Sequence, residues 1–177
     1  DLGWELHCAV DDQVALYEIL LEAAAAHGGG PVGGRALGAL RIEKGYGSWG
    51  REYSPEYWPQ EAGLHGLIKL DKDFLNKEAY LRISNTPPRE TLTMFEVDSG
   101  DDADANGGEP IFLADGTPVG RVTSGAYGYT VGKSLAIGYA REGTGAAGDE
   151  VLTGGGSELR FCSAGLGTSS TESLKVR

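Results

Sequence analysis

Along the first part of the chain, the spacing of apolar positions changes from that of a strand to that of a helix. Residues 3–10 alternate polar and apolar side chains, which predicts a β-strand. Over residues 14–24 the apolar positions recur at helical spacing, with Asp11 or Asp12 as the N-cap and a glycine run to end the helix. A second helix is predicted over residues 34–44.

The middle of the chain is rich in aromatic residues and turns, and it ends at two consecutive prolines. Residues 45–60 combine tyrosines and tryptophans with two prolines. Residues 61–70 are apolar and favour an extended segment, and residues 72–81 are predicted to contain a short helix. Because Pro87-Pro88 suits neither a helix nor a central strand, we place a linker there.

After the prolines, the pattern has the period of two that is typical of strands. The predicted strands cover residues 91–97, 110–113, 118–123 and 134–140. Asp115-Gly116 is a hairpin signal between two of them, whereas residues 154–177 are rich in Gly and Ser with weak periodicity. We therefore predict an α+β part over residues 1–85 and a small antiparallel β-barrel or sandwich over residues 86–177.

Composition and charge narrow the class of protein. The 29 glycines in 177 residues favour a turn-rich fold over an all-helical bundle. With 26 Asp and Glu against 15 Lys and Arg, the formal net charge is −11, which disfavours nucleic acid and anionic membranes as partners. No apolar run approaches the ~20 residues of a transmembrane helix.

The two cysteines, Cys8 and Cys162, lie far apart, and neither belongs to a C-x-x-C motif that would support metal or dithiol chemistry. We expect both to be buried free thiols in a reducing compartment, and hence a cytoplasmic protein. The opening Asp-Leu-Gly-Trp-Glu-Leu is typical of the middle of a strand, so we expect a fragment of a longer polypeptide.

Two short patterns look like ligand loops but lack what such loops need. The segment from Asp102 to Gly107 matches the first half of a calcium loop, whose twelfth position must be a Glu but is Leu113 here. We predict a solvated acidic loop at this point and no metal site. The glycine-rich segments 28–34 and 120–132 lack a phosphate-loop Lys-Ser/Thr and a dinucleotide fingerprint, respectively, and are predicted to be turns.

Glu5 is the most informative single position, because it lies between Trp4 and Leu6 in the first predicted strand. A carboxylate held in apolar surroundings needs a hydrogen-bonding partner. A heterocycle with an amidine-like pair of N–H donors, as pterins have, would satisfy both carboxylate oxygens. The alternative is that Glu5 points to solvent from the polar face of its strand, and the residues alone leave both possibilities open.

Several motifs in collinear order resemble the glycine cleavage T-protein (aminomethyltransferase) family. In the first part these are Gly3-Trp4-Glu5-Leu6, Leu40-Arg41-Ile42-Glu43, Pro59-Gln60-Glu61-Ala62-Gly63-Leu64, and the Lys69–Leu75 box with Lys77-Glu78-Ala79. In the second part they are Gly108-Glu109-Pro110-Ile111, Gly120-Arg121-Val122-Thr123-Ser124-Gly125 and Lys133–Tyr139. The resemblance covers residues 1–140, whereas residues 161–167 depart from the last strands of the family. It implies a ferredoxin-like α+β segment followed by a small antiparallel β-barrel.

Two further segments, Glu43–Tyr46 and Trp49–Glu56, are more similar to the folate domain of flavin-dependent dimethylglycine and sarcosine dehydrogenases. In such enzymes FAD oxidises an N-methyl amine, and tetrahydrofolate takes up the one-carbon unit as its 5,10-methylene form. The resemblance therefore implies tetrahydrofolate as a ligand of this chain. It also implies that FAD and the amine substrate bind an upstream part of the same polypeptide.

Family site residues carry over one by one. Glu5 matches the glutamate that binds the pterin, and Trp49 lies near the folate channel, with core packing as its alternative role. The folate-contacting arginine falls on Leu37, and Arg35 stands two positions away. The catalytic aspartate of the family lies upstream, so we expect no catalytic residue in this chain and no activity from it alone. The other implied functions are a stand-alone aminomethyltransferase, a folate-dependent demethylase, or a non-catalytic regulatory protein that retains the fold.

Overall fold

This computed structural model describes residues 3–98, 104–145, 150–153 and 158–161. Contacts between Cα atoms group the chain into a first unit, residues 1–37, and a second unit, residues 38–177. The division that the sequence suggests, at residues 85 and 86, stays a prediction. No helix among the described residues is both long enough and apolar enough to cross a bilayer.

The first unit is built around one helix. A single 3-10 turn at Val10–Asp12 leads into α1, Gln13–Ala26, and α2, Gly34–Glu43, begins within this unit. Asp12 occupies the N-cap position of α1 as predicted, although its side chain makes no capping hydrogen bond. The chain leaves α1 through Gly28, whose φ is +74°, a value that glycine adopts without strain. Both helices that the sequence predicts here are therefore confirmed.

The strand predicted over residues 3–10 is wrong, because residues 3–9 have no regular secondary structure. Alternation gives a segment the pattern of a strand, but a strand also needs a neighbour to receive its backbone hydrogen bonds. No strand in the described part of the chain pairs with this segment. Cys8 lies in it and is exposed, which corrects the expectation of a buried thiol, whereas Cys162 lies outside the described residues.

The second unit is dominated by a closed antiparallel barrel, which confirms the predicted fold class. Its strands are β1 (Glu90–Asp98), β2 (Pro110–Phe112), β3 (Pro118–Gly128), β4 (Lys133–Arg141), β5 (Glu150–Thr153) and β6 (Glu158–Phe161). The order around the barrel is β1-β4-β3-β2-β5-β6, and β6 pairs with β1 to close it. Gly116, with φ of +84°, lies in the predicted hairpin turn between β2 and β3.

Alternation along the strands creates two apolar clusters, one on each face of the sheet. The first comprises Phe95, Val97, Ala105, Ile111, Val119, Val122, Ala136, Ala140, Val151 and Leu159. The second comprises Ile42, Leu92, Leu135, Ile137 and Tyr139, with Tyr53, Tyr57, Ala126 and Val131 packed against it. β4 supplies both clusters, and its residues 135–140 are all buried. On the outer face, Ile42 near the end of α2 and Tyr53 and Tyr57 of the loop that follows it pack with the strand residues.

The segment between α2 and β1 departs from the predicted elements. Residues 61–70 are not extended but form turns and a 3-10 turn at His65–Leu67. The short helix predicted over residues 72–81 is present but shifted, as α3, Lys77–Ser84. Apolar runs of this length do not distinguish a strand from a tightly turned segment, which explains the error.

Candidate functional site

The first unit contains two of the residues that the sequence predicts as folate ligands. The carboxylate of Glu5 is 93% exposed, and its nearest charged neighbour is the Nε2 atom of His7 at 3.8 Å. Glu5 therefore points to solvent in this structure, with carboxylate oxygens that are free to accept hydrogen bonds. Arg35 is the second residue of α2 and is exposed, and Leu37 is 60% exposed on the same helix.

Trp49, the third predicted ligand, belongs to the second unit. Its indole is 83% exposed, so it does not pack in the core. The backbone around it is nevertheless ordered by an isolated bridge to Tyr53 and by a hydrogen bond from the Gly50 amide to the Tyr53 carbonyl at 2.9 Å. Trp49 thus presents a free aromatic ring from a fixed turn.

The turn that carries Trp49 is closed around the buried carboxylate of Glu52. One oxygen, Oε2, accepts hydrogen bonds from the Ser48 amide at 2.7 Å and from Arg41 Nη1 at 3.1 Å. The other oxygen, Oε1, accepts from the hydroxyls of Thr123 and Ser124, each at 2.6 Å. Because Arg41 belongs to α2 and the two hydroxyls belong to β3, this carboxylate ties the helix, the turn and the barrel together.

The charge of Glu52 is retained despite its burial. Burial alone raises the pKa of a carboxyl group, but here hydrogen bonds from the two β3 hydroxyls and from Ser48 outweigh it. The positive charge of Arg41 acts in the same direction, so the pKa of Glu52 lies below its usual value. Arg41 is itself held by Ser124 Oγ at 2.7 Å and by the Tyr46 carbonyl at 3.0 Å.

Glu61 forms a second buried carboxylate link at the other end of the same loop. Its Oε1 accepts hydrogen bonds from Arg89 Nε at 2.8 Å and from the Arg89 amide at 3.0 Å, and its Oε2 accepts from Arg89 Nη2 at 2.8 Å. The Trp58 amide adds a bond of 2.8 Å, and the Arg89 guanidinium lies 5.2 Å from the centre of the Trp58 ring. Burial opposes ionisation, but these bonds lower the pKa of Glu61 to about 2.

Between the two carboxylates, the loop contacts the barrel through stacked tyrosines. The rings of Tyr57 and Tyr139 are parallel, with centroids 3.5 Å apart. The Tyr139 hydroxyl donates to the Glu52 carbonyl at 2.8 Å, and burial raises its pKa well above the usual range. The Tyr57 hydroxyl accepts a hydrogen bond from Arg121 Nη2 at 2.8 Å and donates to Glu90 Oε2 at 3.3 Å. The loop is therefore fixed to β1, β3 and β4.

The acidic loop between β1 and β2 shows no convergent metal ligands in its described part. Asp104 Oδ1 accepts a hydrogen bond from the Ser134 hydroxyl at 2.6 Å, and Glu109 accepts the amides of Asn106 and Gly107 at 2.8 Å. Asp102, the first position of the calcium-like pattern, lies outside the described residues. No group of three or more His, Cys, Asp or Glu that could hold a metal occurs among the described residues.

Comparison with known proteins places this fold in a family. The GCVT N-terminal domain matches residues 1–72, and the glycine cleavage T-protein C-terminal barrel domain matches residues 91–156. A solved aminomethyltransferase T of the glycine cleavage system from Bartonella henselae superposes with a TM-score of 0.72 at 25% identity, covering 85% of this chain and 42% of that one. The chain therefore belongs to the glycine cleavage T-protein (aminomethyltransferase) family.

Relatives within this family include dehydrogenases as well as transferases. Mitochondrial dimethylglycine dehydrogenase from Mus musculus is 40% identical over 141 residues, which is 78% of this chain and 16% of that protein. An aminomethyltransferase from Symbiobacterium thermophilum is 36% identical over 152 residues, which is 84% of this chain and 40% of that protein. The chain thus spans less than half the length of these relatives. The predicted cytoplasmic location is not tested by them and stays a prediction.

Proposed function

We propose that this chain is the tetrahydrofolate-binding portion of a flavin-dependent dimethylglycine or sarcosine dehydrogenase-like enzyme. In that role it takes up a one-carbon unit from an N-methyl amine as 5,10-methylenetetrahydrofolate. The observation that carries the proposal is the match of both T-protein domains in order, combined with 40% identity to a dimethylglycine dehydrogenase.

The side chains at the predicted site fit tetrahydrofolate chemically. Glu5 offers a carboxylate with no strong partner of its own, and a pterin offers two N–H donors in one plane that match its two oxygens. Trp49 offers an exposed indole on which a planar ring can stack. When bound, tetrahydrofolate supplies the acceptor for the one-carbon unit, while the protein supplies binding and orientation.

In this proposal the buried link at Glu52 is the positioning element, because it holds the turn that presents Trp49 to the ligand. Both Ser48, which precedes Trp49, and Tyr53, which bridges to it, belong to the turn that closes around the Glu52 carboxylate. An aromatic ring contributes to binding only as far as its backbone is held in place, because ordering it on binding costs free energy. In this proposal the Arg41–Glu52 pair, at 3.1 Å, keeps the turn preformed.

Oxidation of the amine belongs to another part of the enzyme in this proposal. FAD and the N-methyl amine would bind the upstream part of the same polypeptide, and Arg35 would assist Glu5 at the folate. The catalytic aspartate of the family would also come from that upstream part. A nucleic acid or a membrane surface is not a partner in this scheme, consistent with a net charge of −11.

The test is a tetrahydrofolate titration of the intact polypeptide and its Glu5→Gln variant. Glutamine keeps the shape but loses the charge and turns a donor toward the pterin donors, so the dissociation constant should rise roughly 10- to 100-fold. Reduction of the flavin by the amine, measured anaerobically, should be nearly unchanged. Glu18→Gln, a change at another exposed glutamate of the first unit, should leave both measurements unaltered. Equal folate affinity in the Glu5→Gln variant would remove Glu5 from the site.

The same titration, together with the flavin-reduction assay and a measurement of folate turnover, separates the other functions that the family supports. A stand-alone aminomethyltransferase or demethylase would bind tetrahydrofolate in a polypeptide that has no flavin domain. A non-catalytic regulatory protein with this fold would show no folate turnover, and its Glu5→Gln variant would behave as the wild type does.

A further inference from the structure

A charged cavity of 560 Å³ opens on the outer face of the barrel, where the loop after α2 meets β1, β3 and β4. It is lined by Glu56, Tyr57, Arg89, Glu90, Arg121 and Arg141. Apart from the tyrosine, every lining residue carries a charge. None of these residues is among the predicted folate ligands, so the cavity needs an explanation of its own.

Arg89 contributes structure rather than binding capacity to this cavity. Its Nε and Nη2 atoms both bond to the carboxylate of Glu61, and Nη2 also donates to the Glu56 carbonyl at 2.7 Å. Because Glu61 is completely buried beneath it, the charge of Arg89 is neutralised from within the protein. The remaining charges of the cavity are those of two arginines and two glutamates.

The two remaining arginines keep most of their hydrogen-bond donors free. Arg121 uses Nη2 to bond to the Tyr57 hydroxyl, and the same atom lies 3.6 Å from Glu56 Oε2, in a pair whose side chains are 49% and 74% exposed. The side chain of Arg141 has no ion pair or hydrogen bond within the described part of the chain. A guanidinium has several N–H donors in one plane, and this arrangement matches the two oxygens of a carboxylate. Both arginines can therefore donate hydrogen bonds to the carboxylate of a ligand.

Glu90 faces Arg141 across the sheet without pairing with it. The two residues are direct partners in the antiparallel register of β1 and β4. Opposite charges at such positions commonly interact, yet no ion pair joins these two. Glu90 instead accepts the Tyr57 hydroxyl through Oε2 at 3.3 Å, and its other oxygen stays available. Burial, followed by the charge of Glu90, raises the pKa of Tyr57, so this hydroxyl stays a neutral donor.

The charges of the cavity therefore balance, with two cations and two carboxylates that are only partly engaged with one another. A simple anion would gain from Arg121 and Arg141 but would be repelled by Glu56 and Glu90. It would also approach a protein of net charge −11. A molecule with both charges avoids both penalties. We propose that this cavity binds a small zwitterion of the amino-acid class, with its carboxylate on Arg121 and Arg141 and its ammonium on Glu90.

The proposal is tested by titrating the 177-residue chain with two zwitterions of different length, glycine and 4-aminobutanoate, followed by heteronuclear NMR. Acetate and methylammonium serve as half-ligands, each with one of the two charges. At least one zwitterion should shift the resonances of the lining residues. Each half-ligand should bind roughly 10-fold or more weakly, because it loses a charge-assisted contact.

Substitutions at the cavity sharpen the test. Arg141→Gln and Glu90→Gln should each weaken zwitterion binding by roughly 10-fold while the amide spectrum stays that of a folded barrel. Arg51→Gln, at another exposed arginine of the second unit, should bind as the wild type does. Acetate binding as tightly as the zwitterions would overturn the proposal in favour of a simple anion site. Undiminished binding in both cavity variants, or no binding of either zwitterion, would also overturn it.

Discussion

Two glutamates in the loop after α2 are completely buried, and each remains charged because an arginine and several hydrogen-bond donors surround it. Glu52 is held by Arg41 and by hydroxyls of β3, and Glu61 is held by Arg89 at the start of β1. A buried carboxylate without such partners would cost several kcal/mol. These two residues therefore hold the loop against the barrel. Their contribution to the free energy of unfolding can be measured by substitution.

The first prediction concerns acid. Because folding lowers the pKa of Glu61 from 4.5 to about 2, its contribution is fully present above about pH 5 and is lost as the pH falls through 2. The contribution is on the order of 3 kcal/mol at pH 7. Urea unfolding of the wild type should show stability falling over this range. The Glu61→Gln variant should show a flatter curve that approaches the wild type near pH 2.

Glu78→Gln is the control for this measurement, since Glu78 is exposed in the first turn of α3. Its stability curve should run parallel to that of the wild type at every pH. A Glu61→Gln curve as steep as the wild-type curve would show that Glu61 does not contribute to acid sensitivity.

The second prediction compares two charged pairs of different exposure. Glu52→Gln leaves Arg41 and the β3 donors facing an amide, and should reduce the free energy of unfolding by about 2–4 kcal/mol. Glu96→Gln breaks a pair with Lys133 of 2.7 Å whose side chains are 32% and 46% exposed, and should cost less than about 1 kcal/mol. Chemical unfolding at pH 7 measures both, and equal losses would mean that burial does not determine the value of the pair.

Neither buried carboxylate was anticipated from the sequence, and the reason is physical. Glu52 and its partner Ser124 are 72 positions apart, so only the folded chain brings them together. The available signal is weak, because residues 45–61 contain three glutamates, Glu52, Glu56 and Glu61, and nothing local separates the two buried ones from the exposed Glu56. The family resemblance predicts Trp49 as a ligand with core packing as the alternative, and only the structure shows that its indole is exposed.

At the scale of elements, the sequence predicts β1 to β4, whereas β5 and β6 are not predicted although Val151 and Leu159 in them are buried. The strands expected at residues 91–97 and 134–140 correspond to β1 and β4, because their apolar positions lie opposite one another in the barrel. The same alternation at residues 3–9 forms no strand. Pattern predicts which face of a strand would be apolar, whereas pairing depends on a neighbour that the local sequence does not reveal.

The third prediction uses two glycines in different elements. A Cβ on Gly120 in β3 would lie 2.1 Å from the Tyr139 carbonyl oxygen of β4, so Gly120→Ala must push two paired strands apart. It should destabilise the protein by about 2–4 kcal/mol. A Cβ on Gly38 in α2 would meet nothing within 4 Å, so Gly38→Ala should stabilise it by about 0.5–1 kcal/mol. Thermal unfolding gives the sign of each change, and a stable Gly120→Ala variant would contradict the close packing of β3 on β4.

The whole molecule differs in packing between its two units. The second unit holds the barrel and both apolar clusters, whereas α1 in the first unit has no buried residue. Trp4, Val10 and Leu6 are 90%, 80% and 60% exposed. Glu5, one of the predicted folate ligands, lies among them. Its proposed role therefore depends on surroundings that the described part of the chain does not supply.

The fourth prediction follows at this scale: the 177-residue chain alone should catalyse neither demethylation nor synthesis of 5,10-methylenetetrahydrofolate. It spans 16% of a dimethylglycine dehydrogenase and 40% of an aminomethyltransferase, and the catalytic aspartate of the family is expected upstream. The measurement is the formation of 5,10-methylenetetrahydrofolate from dimethylglycine or sarcosine, with the product detected by chromatography. The intact polypeptide is the positive control, and turnover by the isolated chain would contradict the assignment of the chemistry to another part.

Closure of the barrel also has a consequence for the order of events during synthesis. β1 is the first barrel strand to leave the ribosome, yet one of its edges is paired with β6, the last strand. Its other edge pairs with β4, and β4 also carries Tyr139, the stacking partner of Tyr57 in the loop. Such pairings between distant segments close slowly, since the intervening chain must first be brought together. One edge of nascent β1 therefore stays unpaired until β6 has been synthesised, and an unpaired strand edge can pair with other chains in that interval.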